Sequence, residues 1–262
     1  MIPVALTIAG SDPSGGAGVQ ADLKTFTALK VYGMSVIAAL TVQNTTGVSG
    51  IMDLPADVVS QQLDAVLTDI PPGAVKTGML SSPAILEVVV RKVREYGISN
   101  LVVDPVMVST SGSNLLSLEG IDDLRRHLLP LALVVTPNLA EAGVLTGMNV
   151  AGLDDMEEAA LQIHGLGPKY VYIKGGHLPG EPVDVLFDGT DFSHIHGERI
   201  QTRDTHGTGC VLSAAITAYL ARGVPVLEAA QRSRIFVNNA IQNGLRLGRG
   251  HGPCDPAGIQ EE

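Results

Sequence analysis

Short apolar runs of strand length recur along the chain, separated by segments with the apolar spacing of helices. The runs lie at 4–9, 35–42, 74–79, 101–103, 133–135 and 170–173, and helical spacing falls at about 19–29, 56–70 and 83–96. Because continuous apolar strands that alternate with helices are buried on both faces, this pattern predicts an α/β fold. We expect a central, mostly parallel β-sheet with helices on both faces.

The last third of the chain follows a different pattern. Segments 183–187 and 192–201 alternate with polar turns, which is typical of an antiparallel hairpin or meander at a sheet edge. Two more helices are predicted, one directly after Gly209 and one over about 226–245. No linker or low-complexity segment interrupts the pattern, so we expect one domain over residues 1–262.

Polar side chains lie just beyond the ends of three apolar runs: Asp104, Asn138 and Lys174. In a parallel sheet the ligand binds outside the carboxyl ends of the strands, so we expect these side chains to share one site. Asp104 and Glu141 can hold Mg²⁺ directly or through water, with Asn138 contributing through water. Considered alone, each residue also has a structural alternative. Glu141 could be a carboxylate that is favoured by the dipole in the first turn of a helix, and Asp104 could cap a loop.

Lys174 ends a buried strand and precedes two glycines. A charged amine in that position is costly unless it meets an anion. The alternative is a surface lysine on a turn.

A polar, glycine-rich turn runs into a long apolar segment at 203–220. Gly207, Thr208, Gly209 and Cys210 form the junction, and backbone N–H groups at such a helix start form an anion site. Cys210 falls in the first turn, where the helix dipole is expected to lower the pKa of a thiol. The alternative is a tight loop before a core helix, with Cys210 as a small buried apolar residue.

The glycines at 10, 15, 16 and 18 follow the first strand without the spacing of a dinucleotide fingerprint. We interpret this turn as one that lets a ligand approach the backbone closely. Asp22 and Gln43 are candidates for polar contacts with that ligand, or else an exposed helix residue and a turn residue. His194 and His196 share a strand face, but no third ligand of matching spacing supports a zinc site.

Composition narrows the classes of function. A net charge of −10 without a basic stripe disfavours nucleic acid as a partner. The high hydrophobic fraction, 45%, against 17% charged residues argues against disorder. Two cysteines without a CxxC pair are neither a disulfide framework nor a zinc ribbon, and they favour the cytoplasm. We expect no signal peptide and no membrane span.

Seven motifs, in order, resemble one family. They are ALTIAGSDPSGGAGVQADLKTF at 5–26, QNT at 43–45, KTGM at 76–79, VVDPVM at 102–107, TPNLAEA at 136–142, IKGGH at 173–177 and DTHGTGC at 204–210. The last resembles the C-terminal signature of the ribokinase-like superfamily. Together they resemble the hydroxymethylpyrimidine/phosphomethylpyrimidine kinases of thiamine biosynthesis over nearly the whole chain.

The resemblance implies a ribokinase-like fold, ATP, Mg²⁺ and a homodimer. It implies that the loop from Gly207 to Cys210 cradles the transferring phosphoryl group. Cys210 stands where most ribokinase-like sugar kinases have a catalytic aspartate. Asp104 and Glu141 are then expected to organise Mg²⁺, and Lys174 to contact the ATP phosphates.

The resemblance also implies the acceptor site. Asp22 and Gln43 would hold the pyrimidine, Met79 and Val106 would pack near the ring, and Gly10 would offer backbone contacts. The expected reaction is phosphorylation of 4-amino-5-hydroxymethyl-2-methylpyrimidine and then of its monophosphate. The alternatives are a pyridoxal or pyridoxine kinase on the same fold and a catalytically idle pyrimidine-binding protein.

Overall fold

The computed structural model describes residues 2–107 and 115–258. In these ranges nine strands form one sheet. They are β1 (Val4–Ser11), β2 (Tyr32–Asn44), β3 (Gly47–Asp53), β4 (Ala74–Thr77), β5 (Leu101–Val103), β6 (Val134–Val135), β7 (Tyr170–Ile173), β8 (Val183–Phe187) and β9 (Phe192–His196).

Eight α-helices lie in the same described ranges. They are α1 (Gly18–Ala28), α2 (Ala56–Leu67), α3 (Pro83–Glu95), α4 (Leu118–Asp123), α5 (Leu139–Thr146), α6 (Leu153–His164), α7 (Thr208–Ala221) and α8 (Val226–Gln242). Short π and 3₁₀ turns follow α4 over Leu124–Leu131. None of the described helices is long and apolar enough to cross a membrane.

The strand order is β3-β2-β1-β4-β5-β6-β7-β8-β9. β1, β2 and β4 to β7 are parallel to their neighbours among these six, while β3, β8 and β9 pair antiparallel. The predicted mostly parallel sheet and the predicted edge hairpin are therefore confirmed. Strand β9 ends at His196, before the predicted end at 201, and α8 ends at Gln242, before 245.

One strand was not predicted. The residues of β3 are mostly exposed, so the segment lacks the apolar pattern that marks a buried strand. It pairs with a longer β2, which extends the predicted run at 35–42 through Asn44.

Helices cover both faces of the sheet, as the alternation predicted. Helices α1, α7 and α8 pack on one face, and α2, α3, α5 and α6 on the other. Helix α7 is buried on every side from Val211 to Leu220, which its all-apolar sequence requires.

In the strand order, β2 lies beside β1 in one direction and β4 lies beside β1 in the opposite direction. The strand order thus reverses between β1 and β4, and ligands of open α/β sheets bind at such a point. A cavity of about 1170 Å³ lies there, lined by the carboxyl ends of the strands and the start of α7.

Candidate active site

Gly207 precedes α7 at the wall of this cavity. Its φ of 81° is left-handed, and a Cβ there would collide with the carbonyl oxygen of Gly16, so the position requires glycine. Among the described residues, no side chain caps α7, and Thr208, Gly209 and Cys210 line the cavity. The N–H groups of this first turn and the positive end of the helix dipole therefore favour an anion.

Lys174 meets the carboxylates of the cavity. Its Nζ lies 2.9 Å from Asp104 Oδ1 and 3.7 Å from Glu141 Oε2, and its side chain is 14% exposed. Burial alone would lower the pKa of Lys174, but Asp104 and Glu141 outweigh it and raise the pKa. A Cβ on Gly209 would come within 3.3 Å of Nζ, so the amine lies beside the helix start. The surface-lysine alternative is therefore wrong.

Asp104 links the strands to α7. Its Oδ2 accepts a hydrogen bond from Ser213 Oγ at 3.0 Å, and its Oδ1 accepts from Thr136 Oγ1 at 3.3 Å. These bonds hold the carboxylate at the end of β5, against the first turns of α7.

Glu141 and Asn138 form a capping box at the start of α5. Asn138 Oδ1 accepts from the Glu141 N–H at 2.9 Å, and Glu141 Oε2 accepts from the Asn138 N–H at 2.8 Å. Glu141 therefore lies in the first turn of a helix, as its structural alternative stated, and it also lines the cavity. Burial raises its pKa to about 7, against the opposing charge of Lys174.

The thiol of Cys210 differs from its prediction. Burial raises the pKa of Cys210 to about 11, although the Lys76 charge and the Gly18 N–H act in the opposite direction. The expected lowering by the helix dipole is wrong, because a dipole contributes only about 0.3–1 kcal/mol at an exposed helix end and does not offset this burial.

Asp22 lies beneath the cavity wall and does not line it. Its carboxylate is fully buried, accepts from Thr7 Oγ1 at 2.6 Å and lies 2.7 Å from Lys76 Nζ. The exposed-helix alternative is therefore wrong, and the predicted contact between Asp22 and the acceptor ring stays a prediction.

Lys76, which does line the cavity, was missed by the sequence interpretation. Burial would lower its pKa, but Asp22 outweighs that effect and raises it, so the amine stays charged. The available signal was a lysine inside the short apolar run at 74–79, which is costly unless it is paired.

The remaining acceptor-site residues, Gly10, Gln43, Met79 and Val106, all line the cavity. A Cβ on Gly10 would lie 2.6 Å from Met79 Cε, so the glycine lets the methionine cover the end of β1. Met79 belongs to a small apolar cluster against which Val106 packs. Gln43 lies in β2 and not in a turn, at a point where the pairing with β3 shifts register.

His206 and Asp12 are a second pair that the sequence interpretation missed. His206 Nε2 lies 2.9 Å from Asp12 Oδ2, and both residues are buried and line the cavity. In the sequence, His206 stands out only as part of the DTHGTGC motif. In the described ranges, no group of three or more His, Cys, Asp or Glu is arranged to hold a metal. His194 instead contacts Glu157 at 2.7 Å.

The cavity therefore has two parts. One combines a helix start with a lysine and two carboxylates, and the other is a small apolar wall with a side-chain amide. Cys210 lines the same cavity. Such a set can bind a phosphate chain in one part and a small polar ring in the other.

Comparisons with known proteins give matches over most of the chain. A family model described as phosphomethylpyrimidine kinase matches residues 12–255. The chain is 48% identical to the hydroxymethylpyrimidine/phosphomethylpyrimidine kinase of Bacillus subtilis, over 96% of this chain and 93% of that protein. It is 51% identical to the thiamine biosynthesis bifunctional protein ThiED of Geobacter sulfurreducens over 95% of this chain, and spans about half of that protein, 51%.

A solved structure of Bacillus subtilis pyridoxal kinase, in complex with ADP, is also similar. The TM-score is 0.91 at 41% sequence identity, and 98% of each chain is covered. The shared fold is the α/β architecture described above.

Proposed function

Because the chain belongs to the phosphomethylpyrimidine kinase family, we propose that it transfers the γ-phosphoryl group of ATP to the hydroxymethyl group of 4-amino-5-hydroxymethyl-2-methylpyrimidine. A second transfer converts the monophosphate to the diphosphate, which serves thiamine biosynthesis. The observation that carries the proposal is the meeting of the uncapped start of α7, Lys174 and Cys210 in one cavity with Gln43.

The phosphate chain of ATP binds at the start of α7 in this proposal. The N–H groups of Gly209 and Cys210 donate hydrogen bonds to the oxygens of the transferring group, where negative charge accumulates. Thr208 lies in the same turn, and its N–H makes a long bond of 3.4 Å to the Thr205 carbonyl. Lys174, beside Gly209, contacts the same phosphates. Its pairing with Asp104 supports this role, since the pair holds the amine charged and in place.

Cys210 is the general base of the proposal. The acceptor O–H bond breaks as the proton moves to the Cys210 thiolate, which becomes the thiol, while the acceptor oxygen bonds to the γ-phosphorus and ADP leaves with the bridging oxygen. Lys76 and the Gly18 N–H support the thiolate, because both favour its negative charge.

The carboxylates suit Mg²⁺ as a partner of ATP. Asp104 and Glu141 supply hard oxygen donors at the cavity, and both already accept hydrogen bonds from the protein. Magnesium usually keeps several waters and binds through one or two carboxylates plus substrate phosphates, so contact through water suits these residues, with Asn138 alongside. When bound, Mg²⁺ neutralises charge on the phosphates.

The acceptor ring lies against Gly10, Met79 and Val106 and pairs with Gln43. The apolar cluster around Met79 supports this placement, because it offers a wall for a flat ring.

We also infer that the chain acts as one kinase domain, as a homodimer, in the cytoplasm. One sheet runs through the described residues, which supports a single domain. Exposed apolar side chains of β2 and β3 support self-association: Leu40, Val42, Ile51 and Met52. The free thiols of Cys210 and Cys254 support a reducing compartment. Light scattering across a concentration series tests the dimer.

Phosphoryl transfer from labelled ATP to a panel of acceptors tests the function. The panel holds the pyrimidine alcohol, its monophosphate, pyridoxal and ribose. We expect the highest kcat/KM with the two pyrimidines. Pyridoxal is the competing acceptor, because the similar Bacillus subtilis structure is a pyridoxal kinase; preference for pyridoxal would replace the proposed substrate, and no transfer to any acceptor would support an idle binding protein.

A further inference from the structure

A buried histidine–carboxylate pair lies beside Gln43 in the acceptor part of the cavity. His206 Nε2 is 2.9 Å from Asp12 Oδ2 and 3.3 Å from the side-chain nitrogen of Gln43. The side chains of His206 and Asp12 are only 8% and 3% exposed. A Cβ on Gly16 would collide with the imidazole, so that glycine lets the ring pack against the loop before α1.

Asp12 is held as a carboxylate. Its oxygens accept hydrogen bonds from the N–H groups of Ser14, Gly16 and Ala17 and from the Ser14 hydroxyl. Burial alone would raise the pKa of Asp12, but the bonds from His206 and Ser14 outweigh it and lower the pKa. Because a carboxylate only accepts, the His206 nitrogen that faces it carries a proton.

That proton fixes which amide atom of Gln43 faces His206. A protonated Nε2 cannot accept a hydrogen bond from an amide nitrogen, so the amide atom 3.3 Å away is the oxygen, which shares the one Nε2 proton with Asp12 in a three-centre bond. The Thr41 hydroxyl leads to the same arrangement. It has one proton, which it donates to the Ser11 carbonyl at 2.9 Å, so it accepts from the amide atom 3.0 Å away, which is the nitrogen.

We propose that His206 and Asp12 are positioning residues that hold the Gln43 amide with its oxygen toward His206 and its nitrogen toward Thr41, and thereby set the donor–acceptor order that the cavity reads in the acceptor ring. The inference rests on the proposed pyrimidine kinase activity. A 4-aminopyrimidine presents an amino donor beside a ring-nitrogen acceptor and pairs with both amide atoms. A 4-oxo analogue presents an acceptor beside a ring N–H donor, which is the reverse order. Its acceptor would face the amide oxygen and its donor the amide nitrogen, so neither pair can form a hydrogen bond.

The test compares the 4-amino and 4-oxo forms of 5-hydroxymethyl-2-methylpyrimidine by kcat/KM at saturating ATP. Their ratio cancels changes in the anion site, because both acceptors use the same one. The wild-type protein should favour the amino form by about 5- to 150-fold, the range that an unpaired buried polar group costs. His206→Ala frees the amide to turn, so the ratio should fall toward one. His206→Gln keeps an N–H for Asp12 and should restore part of the ratio.

His194→Ala is the matched control. His194 also contacts a carboxylate, Glu157, but it lies on β9 and does not line the cavity, so the ratio should stay at the wild-type value. A folded His206→Ala protein that keeps the wild-type ratio overturns the proposal.

Nitrogen NMR of the ¹⁵N-histidine-labelled wild-type protein gives a readout that needs neither turnover nor a folded variant. We expect a proton on His206 Nε2, and an unprotonated Nε2 overturns the proposal. If the wild-type protein phosphorylates neither pyrimidine, the proposed function fails, while the NMR result still decides whether His206 can hold the amide.

Discussion

The pH dependence of phosphoryl transfer should report the ionisation of Cys210. Burial raises the pKa of its thiol to about 11, so the thiol form predominates at neutral pH and the base is the minor, ionised form. The ionised fraction changes about tenfold for each pH unit below a pKa. The kcat/KM for the pyrimidine alcohol should therefore rise about 100-fold between about pH 7.5 and 9.5.

The lower limit of that range lies above the pKa of Glu141, about 7, so that Cys210 dominates the change. Cys210→Ala should lose about 10²- to 10⁴-fold in kcat, the usual contribution of a general base, and its pH profile should be flat. Cys254→Ala is the control, because burial raises the pKa of Cys254 to about 12 and the residue does not line the cavity. A flat wild-type profile, or an unchanged slope in Cys210→Ala, would refute the assignment.

Three further variants test other parts of the site. Lys76→Met should lower the free energy of unfolding by about 3–5 kcal/mol, since it leaves Asp22 buried without its partner; urea denaturation should show partial recovery with Asp22→Asn added, and no recovery counts against the ion pair. Glu141 has its pKa raised from 4.5 to about 7, so the folded state loses stability as pH rises between those values. The unfolding free energy of Glu141→Gln relative to wild type should therefore rise by up to about 3 kcal/mol toward pH 8, and a constant difference contradicts this. Gln43→Ala should lower kcat/KM about 5- to 150-fold for the aminopyrimidine and less for pyridoxal, whereas equal losses would mean that Gln43 does not read the ring.

The architecture was predictable because parallel strands that are buried on both faces appear in the sequence as continuous apolar runs. Leu101–Val103 and Tyr170–Ile173 are apolar throughout, and the polar residues after them, Asp104 and Lys174, converge at one edge of the sheet. Strand β3 has no apolar run or alternation, because neither of its faces is buried.

The features of the site that were not predicted from the sequence depend on how the chain packs. The position of Cys210 at a helix start can be inferred from the sequence. The burial of its thiol depends on how α7 packs against the sheet. Asp22 is separated from Lys76 by 54 positions, so no local spacing reveals their pairing. His206 and Asp12, 194 positions apart, meet only in the folded chain.

The most direct test of the proposed function is mass spectrometry of the pyrimidine products formed from ATP and 4-amino-5-hydroxymethyl-2-methylpyrimidine. The wild-type protein should yield the monophosphate first and then the diphosphate, with ADP formed in step. Cys210→Ala should yield little of either. ATP consumption without a phosphorylated pyrimidine, or phosphorylation of pyridoxal alone, would contradict the account.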